Sequence, residues 1–126
     1  MQMKVSKKFI KTSPDKIRPI VALIKKMPFE SALTQVKFLN KMAAKEILEI
    51  LKSGLSAAKD KDIEMENLQI LEFRCDEGPR LKRRRIIHKG RATTINKRMS
   101  HLTLILSDEK NNKSEIPNPT QNKNRV

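Results

Sequence analysis

Apolar and polar residues alternate at the start of the chain and then recur with helical spacing. The alternation at residues 3–11 places Val5 and Phe9 on one side and Lys8 on the other, which predicts a short strand or extended arm. Helical spacing follows the pair Ser13-Pro14, which is typical of a helix start. A serine hydroxyl can accept from the free amide groups of the first turn, and proline suits the first helical position.

Three helices are predicted in the first half of the chain, at residues 14–26, 29–39 and 41–60. Pro19 lies inside the first helix, where its missing amide hydrogen predicts a kink. Gly54 lies inside the third, at a cost of about 1 kcal/mol relative to alanine. The apolar positions that define the helical faces are Ile17, Ile20, Val21 and Ile24; Phe29, Ala32, Leu33 and Val36; and Ala44, Ile47, Leu48, Leu51, Leu55 and Ala58.

The second half of the chain predicts two strands joined by a long hairpin. Leu71, Phe73 and Cys75 alternate with charged residues, as in a half-buried strand, and residues 102–106 provide a partner. The segment between them has no apolar face long enough to bury. We expect it to turn near Lys89-Gly90 and to project from the body by about 30 Å, at about 3.3 Å per residue.

These elements predict a single α+β domain in which three helices pack on a small antiparallel sheet with a long protruding β-hairpin. The domain spans residues 1–109 and the hairpin residues 78–102, and residues 110–126 form a polar tail that we expect to be disordered. Leu, Ile, Val and Phe make up 33 of the 126 residues. That share is above the roughly 20% below which a highly charged chain usually fails to fold.

Several kinds of chemistry have little support in the sequence. A single cysteine, Cys75, excludes an intramolecular disulfide and is best interpreted as a small buried residue. His88 and His101 lie thirteen residues apart without metal-ligating neighbours, and Glu46 and Glu49 are interpreted as solvated helix charges. With no apolar run long enough to span a membrane, we expect an intracellular protein with no membrane partner. The sequence has no Gly-rich phosphate cradle, nucleophile elbow or HExxH motif, so we expect no enzymatic activity, metal, cofactor or small-molecule substrate.

The charge of the chain is large and unevenly distributed. The formal net charge is +14, with +7 in residues 1–26, +9 in residues 78–107 and −3 between them. Such clusters repel unless a polyanion neutralises them, so nucleic acid and anionic membranes are the first candidates. Four phenylalanines and no other aromatic residue disfavour a binder that stacks bases on rings. The nine basic residues of the second cluster are Arg80, Lys82, Arg83, Arg84, Arg85, Lys89, Arg91, Lys97 and Arg98.

Three stretches of the sequence resemble one known family in order and spacing. They are KTSPDKIRPIVALIK, AAKEILEILKSGLSAA and DEGPRLKRRRIIHKGRATTINKRMSHLTLIL. Together they resemble large-subunit ribosomal protein twenty-two of bacteria and organelles, over residues 8–107. The most specific part is residues 76–101, where DEGP, LKR, KGRA, the KR pair and SH have the family's spacing. The sequence departs from the family's usual pattern at Pro19, Ile86 and Ile87.

The resemblance implies a structural protein that binds large-subunit ribosomal RNA early in assembly and touches several of its domains. It also implies that the hairpin tip helps to line the tunnel through which nascent peptide leaves. The expected partners are this RNA, neighbouring ribosomal proteins and nascent peptide, in a bacterial cytoplasm or an organelle. The matched positions are Leu81, Lys82 and Arg83 near the tip; Lys89, Gly90 and Arg91 at the turn and its return; and Lys11, Lys16 and Arg18 in the arm and first helix that meet RNA.

Two functional hypotheses follow. The first is the structural ribosomal protein, whose candidate RNA-binding residues are the nine basic residues of the second cluster with Lys11, Lys16, Arg18, His88 and His101. The second is a sequence-tolerant DNA-binding or chromatin-like protein, which would present an exposed basic recognition helix or a symmetric dimer. Taken alone, a basic run such as residues 82–85 is as often a solvated face or a nuclear-import signal as a binding element.

Overall fold

A computed structural model describes residues 2–108 of the chain. The predicted order of elements is confirmed, and the predicted tail at residues 110–126 lies outside the described residues. The elements are β1 (Gln2–Ile10), α1 (Pro14–Ile24), α2 (Phe29–Phe38), α3 (Met42–Asp60), a short 3-10 helix (Met65–Asn67), β2 (Leu68–His88) and β3 (Arg91–Asp108).

The three strands form one antiparallel sheet with β3 in the centre. β1 pairs with β3 from Gln2 opposite Ser107 to Ile10 opposite Ser100. β2 pairs with the same strand much further, until His88 lies opposite Arg91. The sheet is therefore three-stranded under the helices and two-stranded beyond them, which confirms an α+β fold with a protruding hairpin.

The hydrophobic core lies between the three helices and one face of the three-stranded part of the sheet. Each large apolar side chain buried there contributes about 1.5–3 kcal/mol to folding. The largest fully buried apolar side chains are Phe29, Phe73, Ile17, Ile24, Ile47, Ile50, Leu51, Leu102, Leu104, Leu106 and Val36. Cys75 is also buried in this core, as predicted, and burial raises the pKa of its thiol.

Gly54 lies on the side of α3 that packs against β3. A Cβ atom at this position would come within 2.8 Å of Leu106 Cδ1 and 3.3 Å of Leu104 Cδ2. The absence of a side chain at Gly54 allows close packing of α3 on β3, which offsets the helix-propensity penalty predicted from the sequence. The sequence pattern did not indicate this contact.

Two apolar residues that the alternation placed in the core are exposed. Phe9 is 61% exposed and has a positive φ of 59°, and the pairing of β1 with β3 shifts between Lys7 and Ile10. Leu71 is 42% exposed because the pairing of β2 shifts next to it. A shift of one residue moves every following side chain to the opposite face of a strand. The prediction of Phe9 beside Val5, and of Leu71 beside Phe73, is therefore wrong.

The start of α1 matches the prediction in position but not in its hydrogen bond. Ser13 occupies the N-cap with extended backbone angles and Pro14 follows it, yet the serine side chain makes no capping hydrogen bond. The helix continues through Pro19. The kink at this residue stays a prediction.

An ion-pair cluster joins β1 to α3. The Nζ atom of Lys7 donates to Glu46 Oε2 at 2.5 Å and also to Glu49. These hydrogen bonds raise the pKa of Lys7 and lower the pKa of Glu49. The interpretation of both glutamates as solvated helix charges is therefore incomplete, because they help to hold the strand against the helix.

Candidate nucleic-acid interface

The hairpin turns through two residues, Lys89 and Gly90, as the sequence predicts. Both have positive φ angles, 49° and 72°. Two central residues with positive φ define a type I′ turn, whose twist matches that of the flanking strands. Gly90 suits this conformation because it has no Cβ, whereas Lys89 adopts it at some cost in energy. The turn places His88 opposite Arg91, and the register then shifts between Ile86 and His88. Beyond this irregularity the distal strands pair from Ile86 opposite Ala92 back to Arg80 opposite Arg98.

Beyond the body, the hairpin is exposed on both faces. Every residue from 79 to 98 is exposed, including all nine basic residues of the second cluster. We call residues 81–97 the distal hairpin, residues 77–80 and 98–100 the hairpin base, and the remaining described residues the body. Within residues 2–108, the distal hairpin pairs with no third strand. Its cations are exposed, and Arg83 and Lys97 also line a cleft shared with residues of α1 and α3.

At the hairpin base, the arginines are paired with carboxylates of the same chain. Arg80 donates to Glu77 Oε1 through Nε at 2.9 Å, and this contact lowers the pKa of Glu77. Arg98 lies 3.7 Å from Asp15, which also lies 4.0 Å from Arg18. Arg80 and Arg98 face each other across the strands, so these carboxylates offset a repulsion between like charges.

In the distal hairpin, the cations have no such partners. Among residues 2–108, no carboxylate lies within 4.0 Å of any of them, and the ion pairs are confined to the body and the hairpin base. The unpaired cations of the distal hairpin are Lys82, Arg83, Arg84, Arg85, Lys89, Arg91 and Lys97. This concentration of unneutralised charge fits an anionic partner better than a solvated surface.

The two histidines proposed as RNA-binding residues occupy different environments. His88 is exposed and pairs with Arg91 beside the turn. His101 lies in the body, where its Nδ1 accepts the backbone N–H of Phe9 at 3.1 Å. The Phe9 and His101 rings meet edge to face at 5.1 Å. His101 therefore satisfies a backbone group at the irregularity in β1, a role the sequence did not indicate.

The two basic regions of the sequence meet at a cleft beside the hairpin base. Its cavity has a volume of about 920 Å³ and its wall contains six cations and no carboxylate. We call this the basic cleft, lined by Lys11, Thr12, Ser13, Lys16, Pro19, Ile20, Lys41, Met42, Ala43, Leu81, Arg83, Asn96, Lys97, Arg98 and Met99.

Five of those six cations are candidates from the sequence, and the sixth, Lys41, is not. Lys41 belongs to a stretch with no net positive charge, so no charge pattern singled it out. It reaches the cleft because it lies at the start of α3. Arg18, by contrast, is absent from the cleft wall and lies beside Asp15.

Within residues 2–108, no group of three or more histidine, cysteine, aspartate or glutamate side chains is arranged to hold a metal ion. No helix in that range is long and apolar enough to cross a membrane.

Fold and surface together define a basic α+β protein in which a two-stranded cationic hairpin extends from a sheet covered by helices. The family described as Ribosomal protein L22p/L17e matches residues 5–107 of the chain. The chain belongs to this family, which confirms the resemblance stated from the motifs.

Individual bacterial proteins show the same relationship along most of their length. The chain is similar to the large ribosomal subunit protein uL22 of Desulforamulus reducens, with 36% identity over 111 residues that cover 87% of this chain and 98% of that protein. It is 35% identical to the protein of that name from Staphylococcus aureus, covering 91% and 99%. The one from Desulfatibacillum aliphaticivorans is 33% identical, covering 84% and 98%.

Proposed function

We propose that this protein is a structural constituent of the large ribosomal subunit that binds large-subunit ribosomal RNA and has no enzymatic activity. The proposal rests on membership of the family and on the names of the bacterial relatives. In a bacterium its place is the ribosome in the cytoplasm. Its partners are the RNA and neighbouring ribosomal proteins.

The observation that carries RNA binding is the concentration of unpaired cations in the distal hairpin, where residues 81–97 hold seven basic residues and no carboxylate. Guanidinium groups bind phosphates through two parallel hydrogen bonds, and lysines contribute point charge. Seven such groups on a bare two-stranded hairpin supply the phosphate-binding surface. We assign the RNA contacts to the nine basic residues of the second cluster and to Lys11, Lys16, Arg18, His88 and His101. His101 differs from the others because its Nδ1 already accepts the backbone N–H of Phe9.

The arrangement also supports contacts with more than one RNA domain. The basic cleft lies at the hairpin base, and the turn at Lys89 lies about 30 Å away at about 3.3 Å per residue. One molecule can therefore touch RNA segments that are far apart and hold them together during assembly.

The family resemblance assigns the hairpin tip to the wall of the exit tunnel, where it would meet nascent peptide. Ile86 and Ile87 are exposed beside the turn. Apolar side chains without a packing role in the chain itself suit a surface that is covered in an assembly. We assign the tunnel contact to residues 81–83 and 89–91.

DNA binding is less well supported. The exposed side of α3 carries both lysines and glutamates, and two of those glutamates bind Lys7. A recognition helix needs base-reading side chains on an accessible and cationic face. The mixed charge of α3 does not provide such a face.

The test is a charge-matched pair of triple variants. Replacing Arg83, Arg84 and Arg85 with glutamine removes three unpaired cations from the distal hairpin. Replacing Lys45, Lys52 and Lys61 with glutamine removes three exposed cations from the body. Binding of purified bacterial large-subunit ribosomal RNA is then measured from 50 to 300 mM salt by filter retention.

The hairpin variant is expected to bind more weakly by about 100-fold, with a salt slope reduced by about 2, because each neutralised phosphate contributes about 0.7–0.9 to that slope. The body variant is expected to stay within about twofold of the unaltered protein. Equal losses in both variants would contradict the proposal. Tighter binding to duplex DNA at matched salt would favour the chromatin-like alternative.

A further inference from the structure

The basic cleft differs from the rest of the cationic surface because it is concave and partly apolar. Its volume of about 920 Å³ falls in the range of about 300–1,000 Å³ that is usual for small-ligand sites. A paired RNA helix presents its phosphates on a convex surface, for which exposed cations are sufficient. A cavity with an apolar wall has room for a base that has left its stack.

We propose that the basic cleft holds an unstacked nucleotide of ribosomal RNA, with phosphates on the surrounding cations and the base against the apolar wall. This inference rests on the function proposed above and names the form of RNA that one part of the surface accepts. Sequence-specific recognition of RNA generally uses single-stranded loops and bulges, because the bases there are unstacked and accessible to the protein.

The apolar wall includes side chains that the fold itself does not need. Met42 is 84% exposed at the start of α3, and Leu81 and Met99 approach from the two strands of the hairpin. Methionine is flexible and polarisable, so it adapts to flat or irregular partners. Covering these groups with a base removes apolar surface from water.

The polar part of the wall matches a nucleotide as well. Lys41 brings a cation from α3 to face those of the hairpin, and no carboxylate lines the cavity. The amide of Asn96 provides both a donor and an acceptor for a base edge. The N-cap of α3 makes no side-chain hydrogen bond, so its free amide groups add to the same positive field.

Continuity with the hairpin favours RNA over an acidic peptide. Arg83 and Lys97 line the cleft and also belong to the distal hairpin, whose cations continue towards the turn. A strand of RNA that follows those cations passes directly into the cleft. An acidic peptide would satisfy the charge of the cleft but would leave the adjoining hairpin unneutralised.

Point variants of the full chain test the inference. Lys41→Ala and Met42→Ala each alter one wall of the cleft, and Lys45→Ala removes a cation from the same helix outside it. Binding is measured with purified bacterial large-subunit ribosomal RNA and with a fully paired RNA duplex. For the ribosomal RNA we expect about a fivefold loss for each cleft variant and less than twofold for Lys45→Ala.

Affinity for the paired duplex distinguishes the binding of an unstacked base from general electrostatic attraction to phosphates. Met42→Ala is expected to leave the affinity for duplex unchanged, because no base leaves its stack there. A benzophenone-bearing residue introduced in place of Met42 is expected to crosslink to unpaired nucleotides in the ribosomal RNA. The same residue in place of Lys45 is expected to give no such adduct.

The outcomes distinguish this inference from the proposed function. If the unaltered protein binds ribosomal RNA with steep salt dependence while both cleft variants behave like Lys45→Ala, the cleft inference is overturned and the function stands. Crosslinks confined to paired nucleotides, or to a neighbouring protein in reconstituted subunits, also overturn it. A failure of the unaltered protein to bind the RNA overturns both.

Discussion

The body and the distal hairpin share strands β2 and β3 but differ in how far the side chains of these strands are buried. In the body, β2 and β3 are covered by helices, and their side chains alternate between core and solvent. In the distal hairpin the same two strands no longer pair with β1, and no residue from 79 to 98 is buried. An isolated two-stranded hairpin is only marginally stable in water. The comparison indicates that burial in the body stabilises the fold and that the distal hairpin adds little to it.

Electrostatics follow the same division. In the body and the hairpin base, arginines and Lys7 are paired with carboxylates of the chain itself. In the distal hairpin, repulsion among unpaired cations is left for an anionic partner to relieve. The ion pairs of residues 2–108 therefore lie apart from the unpaired cations of the distal hairpin.

The largest expected effect compares two apolar residues of the same strand. Phe73→Ala, at a position 1% exposed, is expected to lower the free energy of unfolding by about 3–5 kcal/mol, because it leaves a cavity between sheet and helices. Ile86→Ala, at a position 81% exposed, is expected to change it by less than about 0.5 kcal/mol. Urea unfolding at pH 7 measures both. Similar losses in the two variants would show that the hairpin contributes to the folded core.

A smaller effect is expected at the ion-pair cluster of the body. Lys7→Met is expected to lower the free energy of unfolding by less than about 1 kcal/mol, because the pair is a third exposed and screened by water. Lys4→Met, at an exposed position on the same strand, is the control and is expected to have little effect.

The loss of unfolding free energy in Lys7→Met, relative to the unaltered protein, is expected to depend on pH in the direction set by each pKa shift. The pKa of Lys7 is raised in the folded protein, so its contribution is present below the usual value of 10.5 and is lost as pH rises through the folded value. The pKa of Glu49 is lowered, so its contribution is present above 4.5 and is lost as pH falls below that. We expect the difference in unfolding free energy between the unaltered protein and Lys7→Met to be largest between these two pH values. A gap unchanged at pH 3 would count against the cluster.

The smallest effect on global stability is expected at the turn. Gly90→Ala places a side chain at a φ of 72° and is expected to disfavour the turn by about 1–2 kcal/mol locally. Global unfolding is expected to stay unchanged, because the distal hairpin adds little to it. Lys89→Gly removes the side chain from the other position with a positive φ, so it is the control that is expected to favour the turn. Amide exchange near the tip should become faster in the first variant and slower in the second; no change in either would argue against a type I′ turn.

Much of the fold could be predicted from the sequence because the signals are local. The apolar spacing identified α1, α2 and α3 to within two residues of their ends, and the Lys89-Gly90 turn lies where expected. The errors at Phe9 and Leu71 have one cause. Strict alternation carries no mark of where a strand loses register with its neighbour, and that is decided by the partner strand.

The candidate site was predicted in composition but not in arrangement. The sequence marked the hairpin cations because they form an unbroken basic stretch. It did not distinguish Arg80 and Arg98, which are paired within the chain, from Arg84 and Arg85, which are not. It also did not indicate Lys41, because residues that approach only through packing share no sequence pattern.

The sequence by itself therefore determined which segments are helical, where the hairpin turns and which two segments carry the positive charge, because periodicity, turn chemistry and composition act over a few residues. Only the tertiary structure decided that β3 packs closely against α3 at Gly54, that His101 accepts a hydrogen bond from the backbone of β1, and that both basic segments line one cleft. Those outcomes depend on contacts between residues distant in the chain, whose geometry is set by the packing of helices on the sheet.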